Sequence, residues 1–273
     1  MIQQVERVPE EIVRHYQASD ERSRITVGFG TLELVRTQEI LRRHLPPPPA
    51  RILDVGGGSG AHARWLADDC YTVHLIDPVD KHIAEVRDTL GHIGVTAEVG
   101  DARTLDVPDR SFDVVLLLGP LYHLTERQDR IAALREATRV ARPGGLVAVA
   151  AISRFASLFD GLAQKFLFDP KFRAIAEQDL RDGQHRNPAG GHWFTTAYFH
   201  HPAELRNELD EAGLIFVDML GVEGMAGWLS HLDAAWETPE GRETILFTAR
   251  AVEGEPSLLG LSAHLLALAT APQ

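Results

Sequence analysis

One segment limits the fold of this chain more than any other: ILDVGGGSGAHARWLA, residues 52–67. An apolar run of strand character leads into the loop Gly56-Gly57-Gly58-Ser59-Gly60 and then directly into a stretch with helical spacing. Glycines permit a tight turn with positive φ and let a ligand approach the backbone closely. The helix that follows offers unpaired N–H donors at its N-terminus. The segment therefore predicts a strand–loop–helix unit that binds a nucleotide-like cofactor.

The same alternation of apolar runs and amphipathic stretches continues to about residue 152. The predicted strands are 51–55, 72–76, 96–100, 112–118 and 146–152, and the predicted helices between them are 60–69, 80–91 and 127–141. Buried strands that alternate with helices form parallel sheets with right-handed crossovers. We therefore expect an α/β fold with a doubly wound, mostly parallel sheet, whose core spans residues 50–152.

The segments on either side of this core have other patterns. Residues 1–49 predict a helical N-terminal cap or lid, which the proline run Pro46–Pro49 ends. Residues 153–212 are rich in Phe, His, Gly and Gln and predict an insertion that caps the substrate, with a helix from Pro202 to Ala212.

The C-terminal part predicts two more strands and a helix. Within residues 213–253, the runs 214–220 and 243–252 have the composition of strands. The Leu-rich tail, residues 254–273, predicts a C-terminal helix that docks on the core; a contact in a homodimer is the alternative.

Charge and composition exclude several classes of function. Lys and Arg number 27 against 39 Asp and Glu, a net charge of −12, which disfavours nonspecific binding to nucleic acid or anionic membranes. No apolar run reaches the roughly 20 residues that cross a bilayer, and the N-terminus lacks a secretory pattern. Cys70 is the only cysteine, so an intrachain disulfide and a cysteine zinc site are impossible. We expect a soluble, cytoplasmic protein without a metal.

Polar residues follow the predicted strands at informative positions. Asp77 ends the second strand 21 residues after Gly56, where a carboxylate accepts both hydroxyls of an adenosine ribose. Asp101-Ala102-Arg103 follows the third strand, within reach of an adenine. The loop alone also fits a dinucleotide site, since Gly56, Gly58 and Ala61 satisfy the pattern G-x-G-x-x-G/A.

In combination, these motifs resemble the class I S-adenosylmethionine-dependent methyltransferases, in particular the small-molecule branch with the ubiquinone/menaquinone-type enzymes. The resemblance covers about residues 50–152 and rests on D-V-G-G-G-S-G, L-I-D-P, G-D-A-R, S-F-D-V-V-L-L-L and R-P-G-G in that order. It implies S-adenosyl-L-methionine as cofactor, S-adenosyl-L-homocysteine as product, and a seven-stranded Rossmann-like sheet with one antiparallel strand. It also implies that 214–220 and 243–252 are the last two strands.

The resemblance also assigns roles to residues of the core. The glycine loop would cradle the methionine part of the cofactor, Asp77 would bind the ribose, and Asp101 and Ala102 would flank the adenine. With neighbouring positions and two residues of the cap, the predicted cofactor-binding residues are Asp54, Gly56, Gly57, Gly58, Gly60, Asp77, Pro78, Asp101, Ala102, Arg103, Leu118, Tyr122, Tyr16 and Arg24.

The acceptor half of the site is predicted from position and chemistry alone. His123 follows the fourth strand and is the candidate general base, although its ring has packing against the cofactor as an alternative role. The aromatic insertion supplies the candidate substrate-binding residues His192, Trp193, Tyr198 and His200. Glu33 and Arg36 are further candidates for a lid.

The sequence thus predicts a methyltransferase that acts on a small organic acceptor at oxygen, nitrogen or carbon. Two alternatives stay open: a protein that binds the cofactor as a sensor or scaffold without transferring methyl, and a dinucleotide-dependent oxidoreductase.

Overall fold

The computed structural model describes residues 29–187 and 193–273. The described strands are β1 (Arg51–Val55), β2 (Thr72–Asp77), β3 (Thr96–Val99), β4 (Phe112–Leu117), β5 (Ala141–Ser153), β6 (Gln184–His185), β7 (Ala197–His200), β8 (Ile215–Gly221) and β9 (His264–Thr270). The described α-helices are α1 (Phe29–His44), α2 (Ala61–Asp68), α3 (Asp80–Leu90), α4 (Pro120–His123), α5 (Arg127–Val140), α6 (Ala156–Ala163), α7 (Pro170–Asp182), α8 (Pro202–Glu211), α9 (Leu232–Trp236) and α10 (Pro239–Val252).

The sheet has the predicted doubly wound order. Strands β1 to β5 are parallel and lie in the order β3-β2-β1-β4-β5. Beyond β5 the sheet continues with β9 and then β8, and β9 is antiparallel to both of its neighbours. These seven strands confirm the predicted mostly parallel sheet with one antiparallel strand. Two short strands add to it, since β7 pairs with the end of β5 and β6 forms a hairpin with β7.

Helices cover both faces of the sheet, and the central strands β1, β4 and β5 are accordingly buried on both sides along most of their length. Helices α1, α2 and α3 bury Leu41, Leu66 and Val86 in one apolar cluster against the sheet. Helices α5 and α8 bury Leu134 and Leu205 in the cluster on the opposite face. The crossover after β1 therefore runs to one face and that after β4 to the other, which opens a crevice at their carboxyl ends.

The structure overturns the predicted strand at 243–252. This segment belongs to helix α10, which has Pro239 in its first turn and whose N-cap residue, Thr238, accepts a hydrogen bond from the Gly241 N–H at 3.1 Å. Buried Ile245, Leu246 and Ala249 follow helical spacing. The β-branched and aromatic residues suggested a strand, but the proline and the cap start a helix.

The predicted C-terminal helix, residues 254–273, is also wrong. Leu265, Leu266 and Leu268 of this tail belong to β9, which takes the place of the last strand that the resemblance gave to 243–252. Leu265, Leu266 and Leu268 are fully buried, because both faces of the sheet are covered at this position. A continuous apolar run of this length has no periodicity that distinguishes a helix from a buried strand. These leucines lie inside the subunit, which removes the reason for a dimer contact through this tail.

In the part of the chain that the structure describes, no helix has the length and apolar character needed to cross a membrane.

Candidate functional site

A cavity opens at the carboxyl ends of β1, β2 and β4, at the point where the crossovers diverge. The strand ends and loops that line it belong to the parallel sheet, and helix α1 contributes Glu33 and Leu34 from above. Among the predicted cofactor residues, those that line the cavity are Asp54, Gly56, Gly57, Gly58, Asp77, Pro78, Asp101, Ala102, Leu118 and Tyr122. The predicted general base, His123, lines it as well.

The positions of the loop require glycine for different physical reasons. A Cβ on Gly56 would lie 2.5 Å from Pro120 Cγ, and one on Gly57 would lie 2.6 Å from Asp54 Oδ2, so these two glycines allow close packing. Gly60 has φ +83° and packs against Leu90 of α3, outside the cavity lining. Gly58 differs from all three, because it has φ +54° and a Cβ built there would meet no atom within 4 Å. Gly58 therefore borders open space inside the cavity.

Asp77 holds the loop from the end of β2. Its Oδ2 accepts a hydrogen bond from the Gly58 N–H at 2.9 Å. Its Oδ1 accepts from the Val79 N–H at 2.9 Å and lies 3.0 Å from His82 Nδ1. The carboxylate is thus fixed at the cavity wall beside the loop, in the place where the sequence predicts a contact with a ribose.

Asp54 lies beneath the glycine loop and is fully buried. Neither of its carboxylate oxygens has a hydrogen-bond partner within the described chain. Burial raises the pKa of Asp54 to about 7, and the nearby negative charge of Asp77 adds to the shift. A buried carboxylate without a donor is costly. Since Asp54 lines the cavity, a cationic or N–H-bearing ligand would supply the missing donor.

Asp101 lines the cavity at the end of β3, whereas Arg103 does not. The Arg103 side chain turns back instead, and its NH2 group donates to Asp101 Oδ2 at 2.7 Å while NH1 donates to Asp129 Oδ2 at 2.9 Å. Asp101 accordingly raises the pKa of Arg103. The structure thus places Arg103 in an ion-pair network that positions Asp101, rather than at the predicted cofactor contact.

His123 lies beside two further aromatic rings, Tyr122 and Phe194, and Tyr122 lines the cavity with it. Its ring centroid lies 4.8 Å from that of Tyr122 and 5.8 Å from that of Phe194. His123 Nδ1 lies 3.4 Å from the carbonyl oxygen of Thr196. Both predicted roles therefore have a structural basis, since the ring packs in an aromatic wall and also lines the cavity.

Tyr198 and His200 lie in a buried network and not in the cavity lining. His200 Nε2 lies 3.2 Å from Glu208 Oε2, and Arg130 donates to Glu208 Oε1 at 2.7 Å and stacks over Tyr198. Burial lowers the pKa of His200. Burial alone would raise the pKa of Glu208, but hydrogen bonds from His200 and Arg130 outweigh it and lower that pKa.

This network corrects the prediction that Tyr198 and His200 bind substrate. Both residues belong to β7, which the sheet incorporates beside β5 and thereby buries. The network joins α5, β7 and α8, and its role is structural.

The other predicted residues of the cap and insertion have three outcomes. Trp193 packs on Phe172 of α7 at 5.2 Å between ring centroids and is not in the cavity lining. Arg36 is buried and donates from Nε to the Val222 carbonyl oxygen at 3.2 Å, so it fastens α1 to the core instead of forming a lid. Tyr16, Arg24 and His192 lie outside the described residues.

Sequence reasoning missed two histidines of the cavity. His62 stands in the first turn of α2 and His82 in that of α3, and both line the cavity. The available signal was position, since the first turn of a helix after a parallel strand faces the carboxyl edge of the sheet.

Comparison with known sequences identifies the segment that carries the cavity. Residues 52–145 match the methyltransferase domain family. A malonyl-[acyl-carrier protein] O-methyltransferase from Methylococcus capsulatus is 35% identical over 111 residues, which cover 39% of this chain and 38% of the relative. A demethylmenaquinone methyltransferase from Beutenbergia cavernae is 34% identical over 149 residues, which cover 50% of this chain and 60% of the relative.

The matches cover 38% and 60% of the length of these two relatives, less than two thirds in each case. The residues matched by the family model include the glycine loop. Among solved structures, a putative S-adenosylmethionine-dependent methyltransferase from Listeria monocytogenes superposes with a TM-score of 0.61 at 16% identity. That likeness covers 89% of this chain and 100% of the other, and at this identity it shows a shared fold.

Proposed function

We propose that this chain, which carries a class I S-adenosylmethionine-dependent methyltransferase domain of the ubiquinone/menaquinone-type branch, transfers a methyl group to a small organic acceptor. The proposal extends the domain assignment to the activity of the whole protein. The observation that carries it is the buried Asp54 carboxylate, which lies beneath the glycine loop with no donor from the described chain.

The cavity residues fit S-adenosylmethionine part by part. Asp54 supplies a carboxylate for the ammonium of its methionine moiety, and Gly58 leaves open space beside the loop. Asp77 supplies a second carboxylate for the ribose, and Asp101 and Ala102 stand where the adenine would lie. When bound, the cofactor supplies a methyl group on a sulfonium, which an electron-rich acceptor atom displaces. The chain contributes alignment and exclusion of water, which together lower the barrier by roughly 7–11 kcal/mol in well-oriented reactions.

The proposed acceptor is a small molecule. The cavity has aromatic walls from Tyr122, His123 and the neighbouring Phe194, which suit a compact organic body. The net charge of −12 disfavours a nucleic-acid substrate. For an acceptor that loses a proton on methylation, His123 is the proposed general base, because its ring lines the cavity and imidazole is the side chain whose ordinary pKa suits proton transfer near neutral pH.

Replacement of Asp77 by alanine should lower cofactor affinity about 100-fold. Asp77→Ala removes a charged acceptor from the wall, and hydrogen bonds to charged groups contribute roughly 1.5–3 kcal/mol each. It also releases the Gly58 N–H, which Asp77 holds at 2.9 Å. Calorimetric titration with S-adenosylmethionine measures the effect. The matched control is Asp80→Ala, because Asp80 is exposed and lies three residues further along the chain. Equal affinity in the two variants would show that Asp77 does not bind the cofactor.

Asp54 should make the unliganded protein less stable as pH rises. Because burial raises its pKa from 3.8 to about 7, the folded state holds a proton that the unfolded state releases in this interval. The free energy of unfolding should therefore fall between pH 4 and pH 7, by up to about 4 kcal/mol from this group. Asp54→Asn should remove that loss and make the protein more stable than wild type at pH 8.

Urea unfolding without cofactor at pH 5 and pH 8 measures this difference. The exposed Asp106→Asn serves as control and should leave the pH dependence unchanged. In the same pH range, wild-type affinity for S-adenosylmethionine should fall about tenfold per unit below pH 7, because a protonated Asp54 no longer attracts an ammonium. If the free energy of unfolding of the wild type does not change between these pH values, Asp54 is ionised in the folded state and is solvated or paired.

Comparative titration and an acceptor screen test the proposed function itself. Calorimetry with S-adenosylmethionine and with NAD⁺ should show binding of the former alone; the reverse result would indicate an oxidoreductase. Incubation of small-molecule extracts with methyl-labelled cofactor and mass detection of labelled products should then reveal an acceptor. Tight cofactor binding without any labelled product would indicate a sensor or scaffold.

A further inference from the structure

The helix that carries the aromatic wall is short and is fixed by packing at its start. Helix α4 has four residues, and Tyr122, His123 and the following Leu124 line the cavity. At the start of α4, Pro120 packs so closely on the glycine loop that a Cβ on Gly56 would lie 2.5 Å from Pro120 Cγ. The last carbonyl groups of a helix have no partner within it. The orientation of the wall therefore depends in part on the contacts of the chain that follows α4.

Arg130 of α5 holds this end of the helix. Its Nη1 donates to the Leu124 carbonyl oxygen at 3.0 Å and to the Thr125 carbonyl oxygen at 2.9 Å. Gln184 of β6 adds a third bond, to the Thr125 carbonyl oxygen at 3.1 Å. Buried carbonyl groups require donors, and the guanidinium serves two of them at once. Arg130 is itself buried and does not line the cavity, so it acts on the wall only through the backbone.

The other edge of the guanidinium is fixed by the buried network described above. Arg130 Nε lies 3.0 Å from Glu208 Oε2, and Nη2 donates to Glu208 Oε1 at 2.7 Å. The Arg130 Cζ atom lies 3.6 Å from the centroid of the Tyr198 ring. Glu208 belongs to α8, and Tyr198 belongs to β7, which pairs with the end of β5. A single side chain thus ties the connection between α4 and α5 to the core.

Both sets of contacts depend on the shape of arginine. The guanidinium presents five N–H donors in one rigid plane, with Nε and Nη2 toward a carboxylate and Nη1 toward two carbonyl oxygens. A lysine ammonium is a compact charge with three donors and cannot reach both edges. Arg130→Lys would therefore keep a positive charge beside Glu208 and lose the fixed support of α4.

We propose that Arg130 is a positioning residue of the cavity: through the backbone after α4, it fixes the direction in which Tyr122 and His123 face the acceptor. The inference rests on the proposed methyl transfer and names a residue that this reaction needs although it touches neither cofactor nor acceptor. In reactions that depend on alignment, a displacement of about 1 Å costs about 100-fold in rate.

Arg154 provides a matched control within the same network. It is 3% exposed, against 1% for Arg130, and its Cζ also lies near the Tyr198 ring, at 5.7 Å. Its hydrogen bonds, however, go to β7 and α8, since Nε donates to the Phe199 carbonyl oxygen at 2.8 Å and Nη2 donates to Glu204 at 2.6 Å. Arg130→Lys and Arg154→Lys should lose similar stability in urea unfolding. A difference between them at the cavity wall then reports the contacts with the end of α4.

NMR of the histidine rings tests the proposal without knowledge of the acceptor. The imidazole signals of His123 are assigned by their loss in His123→Phe. They depend on the ring of Tyr122, whose centroid lies 4.8 Å away, so they report a change in orientation. At about pH 9, where an ordinary imidazole is neutral, these signals should move in Arg130→Lys and keep their wild-type positions in Arg154→Lys. The spectra are recorded without ligand and with saturating S-adenosylhomocysteine.

Kinetics with the acceptor from the screen extend the test to function. Arg130→Lys should lower kcat/KM for the acceptor roughly 10- to 100-fold, whereas Arg154→Lys should retain the wild-type value. Calorimetric affinity for S-adenosylmethionine should stay near that of wild type in both variants, because Pro120 keeps the start of α4 against the glycine loop. Should Arg130→Lys fail to fold, the double variant Arg130→Met with Glu208→Gln takes its place. It removes both charges together, so that no buried charge remains unpaired.

Three results would overturn the proposal. One is a set of His123 ring signals in folded Arg130→Lys, or in the double variant, that matches wild type. Another is wild-type kcat/KM for the acceptor in the same variant. The third is an equal loss of kcat/KM and of cofactor affinity in Arg130→Lys and Arg154→Lys, which would show that the network serves stability alone. Absence of S-adenosylmethionine binding in wild type would instead overturn the proposed function, and the ring signals of the unliganded protein would still decide the role of Arg130.

Discussion

Gly58→Val should reduce affinity for S-adenosylmethionine by about 100-fold or more, the largest loss of binding that we expect from a single substitution. Gly58 is the loop glycine at which an added Cβ meets no protein atom within 4 Å, although it lines the cavity. The open space is therefore available to a ligand, and a valine side chain would occupy it. Overpacking of this kind costs roughly 1–3 kcal/mol.

Gly94 provides the matched control for this substitution. It also has positive φ, at +86°, and a Cβ there meets no atom within 4 Å, but it does not line the cavity. Gly58→Val and Gly94→Val should thus lose similar stability, roughly 1–2 kcal/mol, through left-handed backbone strain. In calorimetry, only Gly58→Val should lose the cofactor. Equal affinities in the two variants would mean that the cofactor does not approach the glycine loop.

The cofactor half of this site was predictable because each feature is local in sequence. A strand, a glycine loop and a helix follow one another within residues 52–67, and Asp77 is fixed by the length of one helix and one strand. The parallel sheet then brings these strand ends to one edge, as the structure shows for Asp54, Gly58 and Asp77. Pro120 and Asp54 fill the space beside Gly56 and Gly57, whereas the space beside Gly58 is open, and the glycine pattern alone does not contain that difference.

The C-terminal region shows where periodicity stops being informative. The leucines at 265, 266 and 268 are buried on both faces of the sheet, so their pattern has neither the period of a helix nor that of a half-buried strand. Residues 243–252 have strand-like composition, yet Pro239 and Thr238 determine a helix. Here the residues at the start of the helix, and not the composition of the segment, determine the secondary structure.

The acceptor half depended on contacts between residues far apart in the chain. The sequence predicted that Tyr198 and His200 bind substrate. In the structure, His200 is instead paired with Glu208, and Arg130 stacks on the ring of Tyr198. No local pattern contains such pairings, because they form only when α5, β7 and α8 lie side by side.

His123→Ala should lower turnover with the true acceptor by roughly 10²–10⁴-fold if His123 acts as a general base, with cofactor affinity nearly unchanged. The ring lines the cavity, and the bond between Nδ1 and the Thr196 carbonyl oxygen would fix its orientation. The acceptor from the labelled screen, under saturating cofactor, provides the assay. The expected defect is in kcat, because proton transfer contributes in the transition state and not to ground-state binding.

His123→Phe separates this chemistry from packing. Phenylalanine keeps a ring against Tyr122 and Phe194, whose centroids lie 4.8 and 5.8 Å from that of His123, but it cannot accept a proton. A general base predicts that His123→Phe is as slow as His123→Ala, whereas a packing role predicts that it recovers wild-type turnover. In the second case His123→Ala should also unfold at lower urea concentration and bind cofactor more weakly. The function of His123 would then be to form part of the aromatic wall.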